Sequence, residues 1–97
     1  MIGLSLHISE QATHDLEDIW LYIANNSPQA ADAFLDSIFE QCQLICESPE
    51  IGRERDELLP GTRSFPLKRY IIYYRVTPEA VEVVRILSGY RDIEAVF

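Results

Sequence analysis

The feature that most constrains this fold is the stretch 61–92, GTRSFPLKRYIIYYRVTPEAVEVVRILSGYRD, because it predicts three consecutive β-strands. Tyr, Ile, Val and Arg dominate it, and β-branched and aromatic side chains suit a pleated, half-buried surface. The predicted strands are Thr62–Leu67, Tyr70–Thr77 and Ala80–Leu87, and residues 77–79 form the turn between the last two. The stretch therefore predicts an antiparallel sheet.

Alternation along these strands assigns the side chains to the two faces of the sheet. In the second strand it predicts that Tyr73 and Arg75 share a face. In the third strand it predicts one face made of Val81, Val83, Arg85 and Leu87. Each of these strands thus places an arginine among apolar neighbours, where a sheet usually has a valine.

The N-terminal half predicts a short strand followed by two helices. Leu4–Ile8 alternates apolar and polar residues, and Ser9 is a good N-cap for a helix that runs to about Asn25. After a break, Ser27 caps a second helix that runs from Pro28 to about Glu47. A break this short predicts an antiparallel helical hairpin.

Taken together, the elements follow the order β-α-α-β-β-β. This order predicts a single α+β domain over residues 1–97, with an antiparallel sheet packed against the N-terminal helical hairpin. Residues 48–57 are charged and contain Pro and Gly, so they predict a loop. Asp92–Phe97 is expected to form a short terminal helical turn.

Charge is distributed very unevenly along the chain. The net charge is −8, yet residues 1–50 carry nine acids and no Lys or Arg, while residues 51–97 carry all eight basic residues. An acidic half argues against broad nonspecific nucleic-acid binding, which rewards clustered positive charge. Two interpretations stay open: the acids form a solvated face for solubility, or they repel nucleic acid while the arginine-bearing sheet meets a specific partner.

Composition also limits which cellular compartment and which cofactors we expect. No apolar run is long enough to span a membrane and no export signal begins the chain, so we expect a soluble, cytoplasmic protein without a membrane partner. Cys42 and Cys46 are expected to be buried small side chains on one helix face rather than a disulfide or a zinc site. His7 and His14 are weak evidence for a metal. We therefore expect no metal and no cofactor.

One group of residues has side chains that are suited to binding. It combines basic side chains with aromatic ones in the C-terminal half: Arg63, Lys68, Arg69, Arg75, Arg85 and Arg91 with Phe65, Tyr70, Tyr73, Tyr74 and Tyr90. In one interpretation Arg75 and Arg85 are partly buried and paired to acids of the helices. In the other, the group forms an electropositive, aromatic-lined surface for a protein partner or for RNA.

Several short motifs follow one another along nearly the whole chain. They are Ser9-x-x-Ala12-x-x-Asp15-Leu16-x-x-Ile19, Tyr22-Ile23-Ala24, Pro49-x-x-Gly52-Arg53, Pro60-Gly61-x-Arg63-Ser64-Phe65, Tyr70-x-Ile72-x-Tyr74-Arg75 and Val81-Glu82-Val83-Val84-Arg85-Ile86-Leu87-Ser88-Gly89-x-Arg91-Asp92. In this order and spacing the chain resembles the ParE branch of the RelE/ParE toxin superfamily, the toxin halves of bacterial toxin–antitoxin pairs.

The resemblance also separates two mechanistic branches. The RelE-like branch cuts messenger RNA on the ribosome, which needs groups that activate a 2′-hydroxyl, hold the phosphate and protonate the leaving oxygen. Where that branch has a basic residue and a catalytic tyrosine, this chain has Ile71 and Phe97. Its strand lysines are missing too, although Arg63 and Lys68 lie in that region, and Arg91 alone matches a catalytic position. The resemblance therefore implies no catalytic residues.

What the ParE branch implies is inhibitory binding. Such a toxin binds DNA gyrase, traps its cleaved-DNA state and stops replication, without being an enzyme. Its partner is a ParD-like ribbon-helix-helix antitoxin whose flexible tail folds onto the toxin, typically in a heterotetramer. The toxin alone is expected to make no direct sequence-specific contact with DNA. A RelE-type ribosome-dependent endoribonuclease and a non-toxic antitoxin-binding module remain alternatives.

The resemblance leads to two sets of expected site residues. Those expected to bind the target are Arg63, Lys68, Arg69, Arg75, Arg85, Tyr90 and Arg91. Those expected to bind the antitoxin are Trp20, Phe34, Arg75 and Arg85. The apolar residues of the antitoxin tail are expected beside the two aromatic rings, and its acidic residues near the arginines.

Overall fold

Two long helices pack on one face of a five-stranded sheet in the computed structural model, which describes residues 4–90 and 93–97, without the side chains of residues 94 and 95. In chain order the elements are β1 (Ser5–Ile8), α1 (Glu10–Ala24), α2 (Pro28–Glu47), a 3₁₀ turn (Pro49–Ile51), β2 (Arg53–Glu54), β3 (Thr62–Leu67), β4 (Tyr70–Val76), β5 (Ala80–Ser88) and α3 (Ile93–Val96).

Both long helices begin at the predicted serine caps. Ser9 Oγ accepts a hydrogen bond from the amide of Ala12 at 3.0 Å, and Ser27 Oγ accepts one from Ala30 at 3.1 Å. Each cap satisfies one of the amides that a helix start leaves without an intrahelical partner. The predicted bounds of α2 are confirmed, and those of α1 hold to within one residue.

The strands lie in the order β1-β5-β4-β3-β2. The α+β fold and the bounds of β3 are confirmed, and β4 and β5 differ from the prediction by one residue each. Two details differ from the expected architecture. β1 pairs with β5 in parallel, so the sheet is mixed. The predicted loop 48–57 contains the 3₁₀ turn and β2, which pairs with β3.

A β-bulge changes which residues of β5 face the helices. Tyr73 of β4 pairs with Arg85 of β5, but the next residue, Tyr74, pairs with Val83. β5 therefore has one extra residue at this point. The extra residue shifts the alternation, and the core under the helices contains Val83 and then Ile86. The predicted face of Val81, Val83, Arg85 and Leu87 is therefore wrong, because strict alternation does not continue through a bulge.

The core lies between the helices and the sheet. Its buried members from the helices include Leu16, Ile19, Phe34, Ile38, Cys42 and Ile45, and those from the sheet include Ile72, Tyr74, Val81, Val83 and Ile86. Cys42 and Cys46 are buried free thiols, as expected. The C-terminal segment contributes a contact with the sheet: the Phe97 ring meets the Tyr73 ring edge to face, with centroids 5.1 Å apart.

Within the described part of the chain, no helix has the length and apolarity needed to cross a membrane. The short terminal helix predicted at Asp92–Phe97 is present as α3, and Asp92 itself lies outside the described residues.

Candidate functional site

Arg85 is bound to a helix rather than exposed on a sheet face. Its Nε and Nη2 donate to the two carboxylate oxygens of Asp15 on α1 at 2.8 and 3.0 Å. The same carboxylate accepts the backbone amide of Ile86 at 3.0 Å. The Arg85 and Asp15 side chains are 19% and 11% exposed, and the bond to Asp15 raises the pKa of Arg85. The interpretation that pairs Arg85 with a helix acid is thus confirmed, and any binding partner has to compete with Asp15.

Arg75 has a different partner. Its Nε donates to Glu82 of β5, its cross-strand neighbour, at 2.6 Å, and its side chain is 48% exposed. The second oxygen of Glu82 lies 3.9 Å from Nε2 of His7 on β1. The interpretation that pairs Arg75 with a helix acid is therefore wrong. Arg75 follows the core residue Tyr74 in the strand, so it lies on the face of the sheet away from the helices, where its partner is a carboxylate of the neighbouring strand.

Arg63 holds the turn that connects α2 to the sheet. Its Nη1 donates to the carbonyls of Gly52 and Glu50 at 2.7 and 3.2 Å, and its Nη2 lies 3.5 Å from Glu54. Because two of these partners are backbone carbonyls, this guanidinium stabilises the loop whether or not it also meets a target.

A buried tyrosine hydroxyl completes this connection. Tyr74 donates to the carbonyl of Pro49 at 2.7 Å and accepts the amide of Gly52 at 2.8 Å. A Cβ at position 52 would lie 2.8 Å from Tyr74 Cε1, so the site requires glycine. Sequence reasoning missed this cluster, although the spacing Pro49-x-x-Gly52 contained the signal.

Lys68 and Arg69 form the turn between β3 and β4, and Lys68 adopts a positive φ of 56°. Among the described residues, no carboxylate lies within 4.0 Å of either cation. Beside Arg69 lies a cavity of about 350 Å³. We call it the tyrosine pocket, and its walls are Asp18, Ile19, Tyr22, Arg69, Tyr70, Ser88 and Tyr90.

Two rings of the tyrosine pocket are strongly exposed, Tyr22 at 73% and Tyr90 at 89%. Exposed tyrosines beside an arginine are typical of surfaces that bind proteins or stack on bases. The structure therefore brings Arg69 and Tyr90 of the predicted target-binding set together. Arg91, the other predicted residue of this segment, lies outside the described residues.

The positions that distinguish a ribonuclease lie on β4 and at the C-terminus. Ile71 is half-buried, and Phe97 packs on Tyr73. Tyr73 does have a hydroxyl, but the residue is 2% exposed. Burial raises the pKa of Tyr73, an effect that Arg55 partly opposes. This phenol is therefore both protonated and covered, so it is poorly placed to exchange a proton with a substrate.

A long groove runs along the helical hairpin beside Trp20. Its volume is about 530 Å³, and its apolar walls include Leu16, Leu21 and Leu35. Trp20 Nε1 donates to Asp32 of α2 at 3.0 Å, which fixes the indole at the junction of the helices. Phe34, which we expected at this groove, is 4% exposed and meets the Tyr70 ring edge to face. The second helix presents Leu35 here instead, because the next residue along a helix points about 100° away.

The described residues contain no group of three or more His, Cys, Asp and Glu side chains arranged to hold a metal ion. Burial, reinforced by Cys46, raises the pKa of Cys42 to about 11, so this thiol stays protonated at neutral pH.

Comparisons with known proteins find similar sequences that carry the names of toxins. Residues 6–93 match the family described as the ParE toxin of the type II toxin–antitoxin system parDE. Toxin ParE3 of Caulobacter vibrioides is 35% identical over 71 residues, covering 73% of this chain and 71% of that protein. Toxin RelE3 of the same organism is 29% identical over 83 residues, covering 84% of this chain and 90% of that protein.

Solved structures show the same likeness. A structure described as the chromosomal ParDE system from P. aeruginosa superposes with a TM-score of 0.74 at 25% identity, covering 89% of this chain and 96% of that one. The toxin–antitoxin complex RelBE2 from Mycobacterium tuberculosis shares the fold, with a TM-score of 0.66 at 19% identity, covering 90% of this chain and 99% of that one.

Proposed function

The chain belongs to the ParE toxin family of type II toxin–antitoxin systems, and from that premise we propose that it inhibits DNA gyrase by binding and does not cut messenger RNA. In this proposal the toxin traps the cleaved-DNA state of gyrase, as the ParE resemblance implies. An antitoxin neutralises it by covering the surfaces that meet the target.

The observation that carries the proposal is the chemistry around Ile71 and Phe97. Cleavage of RNA needs a base for the 2′-hydroxyl and an acid for the leaving oxygen. An isoleucine and a phenylalanine supply neither, and the hydroxyl of nearby Tyr73 is covered. Binding to gyrase needs no proton transfer by the toxin, so the same residues are compatible with inhibition.

For the neutralising partner we propose a ParD-like ribbon-helix-helix antitoxin in a heterotetramer. Apolar residues of its tail would occupy the groove beside Trp20, against Leu35 rather than Phe34. Acidic residues of the tail would meet Arg75, which is half-exposed, more readily than Arg85, which is already paired. Adding the antitoxin should change Trp20 fluorescence and slow hydrogen exchange of the sheet amides, and an absence of both changes would remove this site.

The target is tested with purified protein and two reactions run in parallel. Gyrase with ATP and relaxed plasmid should lose supercoiling activity and accumulate cleaved DNA when the toxin is added. Translating ribosomes with messenger RNA should show no new cleavage.

In cells, expression without antitoxin should induce the DNA-damage response while bulk translation continues at first. Cleavage of ribosome-bound message without any effect on gyrase would instead assign the RelE-type reaction, which the similarity to Toxin RelE3 makes the second candidate.

The variant Phe97→Tyr sharpens this test. It restores a hydroxyl at the C-terminus, but position 71 still lacks a cation, so we expect no ribonuclease activity. The matched double variant Ile71→Arg/Phe97→Tyr supplies both groups and shows whether the ribosome assay is able to detect a gain of activity. Ribosome-dependent cleavage by Phe97→Tyr alone would contradict the proposal.

A further inference from the structure

The tyrosine pocket lies at the end of the sheet where β4 begins and β5 finishes. Tyr70 and Ser88 pair across these strands, and the Gly89 amide donates to the Arg69 carbonyl at 2.8 Å. The Tyr90 amide donates to Ser88 Oγ at 3.2 Å. These bonds hold the backbones of Arg69 and Tyr90 in place, and α1 contributes the remaining wall.

The rings of Tyr22 and Tyr90 are far more exposed than the packing of the fold requires. They are the two most exposed large hydrophobic side chains in the described part of the chain, at 73% and 89%. Neither ring belongs to the described hydrophobic core. A tyrosine presents a flat, rigid ring with few rotatable bonds, so it binds a planar ligand at a low cost in conformational entropy. The two rings therefore point to a ligand that contains a flat ring.

The turn beside the pocket carries two cations on an unfavourable backbone. Lys68 has a φ of 56°, a conformation that hairpin turns usually give to glycine, asparagine or aspartate. Lys68 and Arg69 are both exposed, and no carboxylate of the described residues forms an ion pair with either. A lysine in such a conformation is typical of a surface where the side chain has a function. The two cations point to a ligand that carries negative charge.

A carboxylate adds a third requirement. Asp18 lies one helical turn before Tyr22 on α1, so the two side chains share a face, and both line the pocket. Asp18 is exposed and forms no ion pair with Arg69. An ionised carboxylate only accepts hydrogen bonds, so the ligand must also carry a donor. The side chains of an acidic peptide carry no such donor.

We propose that the tyrosine pocket binds one base of a single-stranded nucleic acid. The base would stack on Tyr22 or Tyr90, and its neighbouring phosphates would meet Lys68 and Arg69. Its amino group would donate to Asp18, as carboxylates accept from the amino group of cytosine. A nucleotide combines the flat ring, the anion and the donor in one ligand. The volume of about 350 Å³ is typical of sites for small ligands.

The amino group makes the pocket selective among unpaired bases. Guanine, adenine and cytosine carry an amino group, whereas thymine and uracil carry none. The pocket therefore prefers the first three bases. This preference concerns a single unpaired base and does not amount to recognition of a duplex sequence.

The acidic helices limit how much of a strand the protein binds. The net charge is −8, and residues 1–50 contain no Lys or Arg. A longer strand would be repelled by the helix acids, so the phosphate contacts are confined to about two, one for each cation of the turn. Two contacts with a single strand predict a slope of about −1.4 for the logarithm of the binding constant against that of the salt concentration.

The pocket is separate from the positions that distinguish a ribonuclease. Tyr70 packs against the core on the helix side of the sheet, and Ile71, the next residue, alternates onto the other face. A base held in the pocket would therefore not lie at Ile71. The proposal goes beyond gyrase inhibition and rests on the pocket alone, so a failed gyrase assay would leave it unchanged.

An NMR titration of the full chain with a deoxycytidine trinucleotide tests the proposal. The amide signals of Tyr22, Arg69 and Tyr90 should shift on binding. The first control is an abasic trimer with the same phosphates, which should bind at least about fivefold more weakly because it lacks the stacked base. The second control is a deoxyuridine trinucleotide, in which the bases have the same size but no amino group. It should bind about threefold more weakly, as expected for one exposed hydrogen bond.

Substitution of the exposed rings tests stacking. Tyr90→Ala should weaken binding of the cytidine trimer at least about fivefold, and Tyr90→Phe should retain it, because a phenyl ring also stacks. The matched control is Leu21→Ala, which removes an exposed apolar side chain of α1 outside the pocket. It should change binding less than about twofold.

Two further variants separate the charged groups. Arg69→Gln should make the salt dependence shallower by about 0.7 in slope, because one phosphate contact is lost. Asp18→Asn should abolish the preference for the cytidine trimer over the uridine trimer, since the charged acceptor is gone.

Three results would overturn the proposal. The first is an absence of binding by the cytidine trimer up to millimolar concentration. The second is equal binding of the abasic trimer, which would reduce the site to a contact with phosphate. The third is a peptide of four glutamates that binds as tightly and shifts the same amide signals, because the pocket would then belong to an acidic protein segment.

Discussion

Arg85 and Arg75 lie on neighbouring strands, yet they belong to different parts of the molecule. Arg85 makes a two-point contact with Asp15, which itself is 11% exposed, and so joins β5 to α1. Arg75 pairs with Glu82 on the adjacent strand and remains half-exposed. The difference follows from their positions: Arg75 lies on the face of the sheet away from the helices, because it alternates with the core residue Tyr74, whereas Arg85 lies at the bulge of β5 and reaches α1. An arginine in a strand is therefore structural or available according to which element covers it.

The same division runs through the other basic residues. Arg63 resembles Arg85, because its guanidinium satisfies backbone carbonyls of the turn at Gly52. Lys68 and Arg69 resemble Arg75, because they lie on the surface of the β3–β4 turn. We call Arg63 and Arg85 the interior arginines, and Lys68, Arg69 and Arg75 the surface cations. The predicted target-binding set mixes the two groups, and mutagenesis is able to separate them.

The largest effect is expected for Arg85→Ala. It leaves the mostly buried carboxylate of Asp15 without its cation, which should lower the free energy of unfolding by about 3 kcal/mol. Arg75→Ala is the matched control and should cost less than about 1 kcal/mol, because exposed pairs contribute little. Urea unfolding of both variants measures the difference. Equal losses of unfolding free energy would show that the two arginines contribute equally to stability.

Gly52→Ala should have the next largest effect on stability. The added methyl group would press on the ring of Tyr74, and the turn that Arg63 holds would have to move. We expect a loss of about 2 kcal/mol, typical of overpacking a buried site. Gly89→Ala provides the control, because its new methyl group would meet the Arg69 carbonyl at an ordinary 3.5 Å. Thermal melts that rank the two variants in the opposite order would contradict the role assigned to this turn.

The double variant Lys68→Ala/Arg69→Ala should change stability by less than about 1 kcal/mol, because both side chains are exposed. If the surface cations contact the target, the same variant should weaken the inhibition of gyrase and slow the killing of cells that lack antitoxin. Unfolding curves and growth assays on one preparation test both statements. Full toxicity with unchanged stability would remove these two cations from the target-binding surface.

The smallest effect on stability is expected for Arg91→Ala. The sequence places Arg91 after Gly89, beyond the last strand, where a change of side chain should leave the sheet intact. We therefore expect a nearly unchanged melting temperature together with reduced toxicity, whereas Arg85→Ala should lower both. A fully toxic Arg91→Ala would return this residue to the solvated surface.

Much of the secondary structure could be predicted from local signals. The serine caps, the short break before Pro28 and the alternation in β3 and β4 each involve neighbours in the chain, so they are visible in the sequence. The bulge in β5 was not predicted, because one extra residue in a strand leaves no mark in a segment such as Val83–Leu87, where apolar residues lie on both sides of Arg85. β2 was not predicted either, since two charged residues resemble a loop until β3 lies beside them.

The site was less predictable than the fold. The family motifs led to the arginines and to the absence of ribonuclease groups at positions 71 and 97, because those depend on residue identity. They did not indicate that Phe34 is buried while Leu35 faces the groove beside Trp20. A change of one position along α2 decides this, and the apolar stripe of a helix is too wide to resolve it from the sequence.

The sequence by itself determined the order and type of the main elements, the acidic and basic halves, and the family, all of which depend on local spacing and composition. The tertiary structure alone decided which partners the described cations contact. Asp15 and Arg85 are separated by 70 positions in the chain, and their pairing exists because α1 packs on β5 next to a bulge. The strength of a charge pair depends on distance and burial, and both are set when the elements pack.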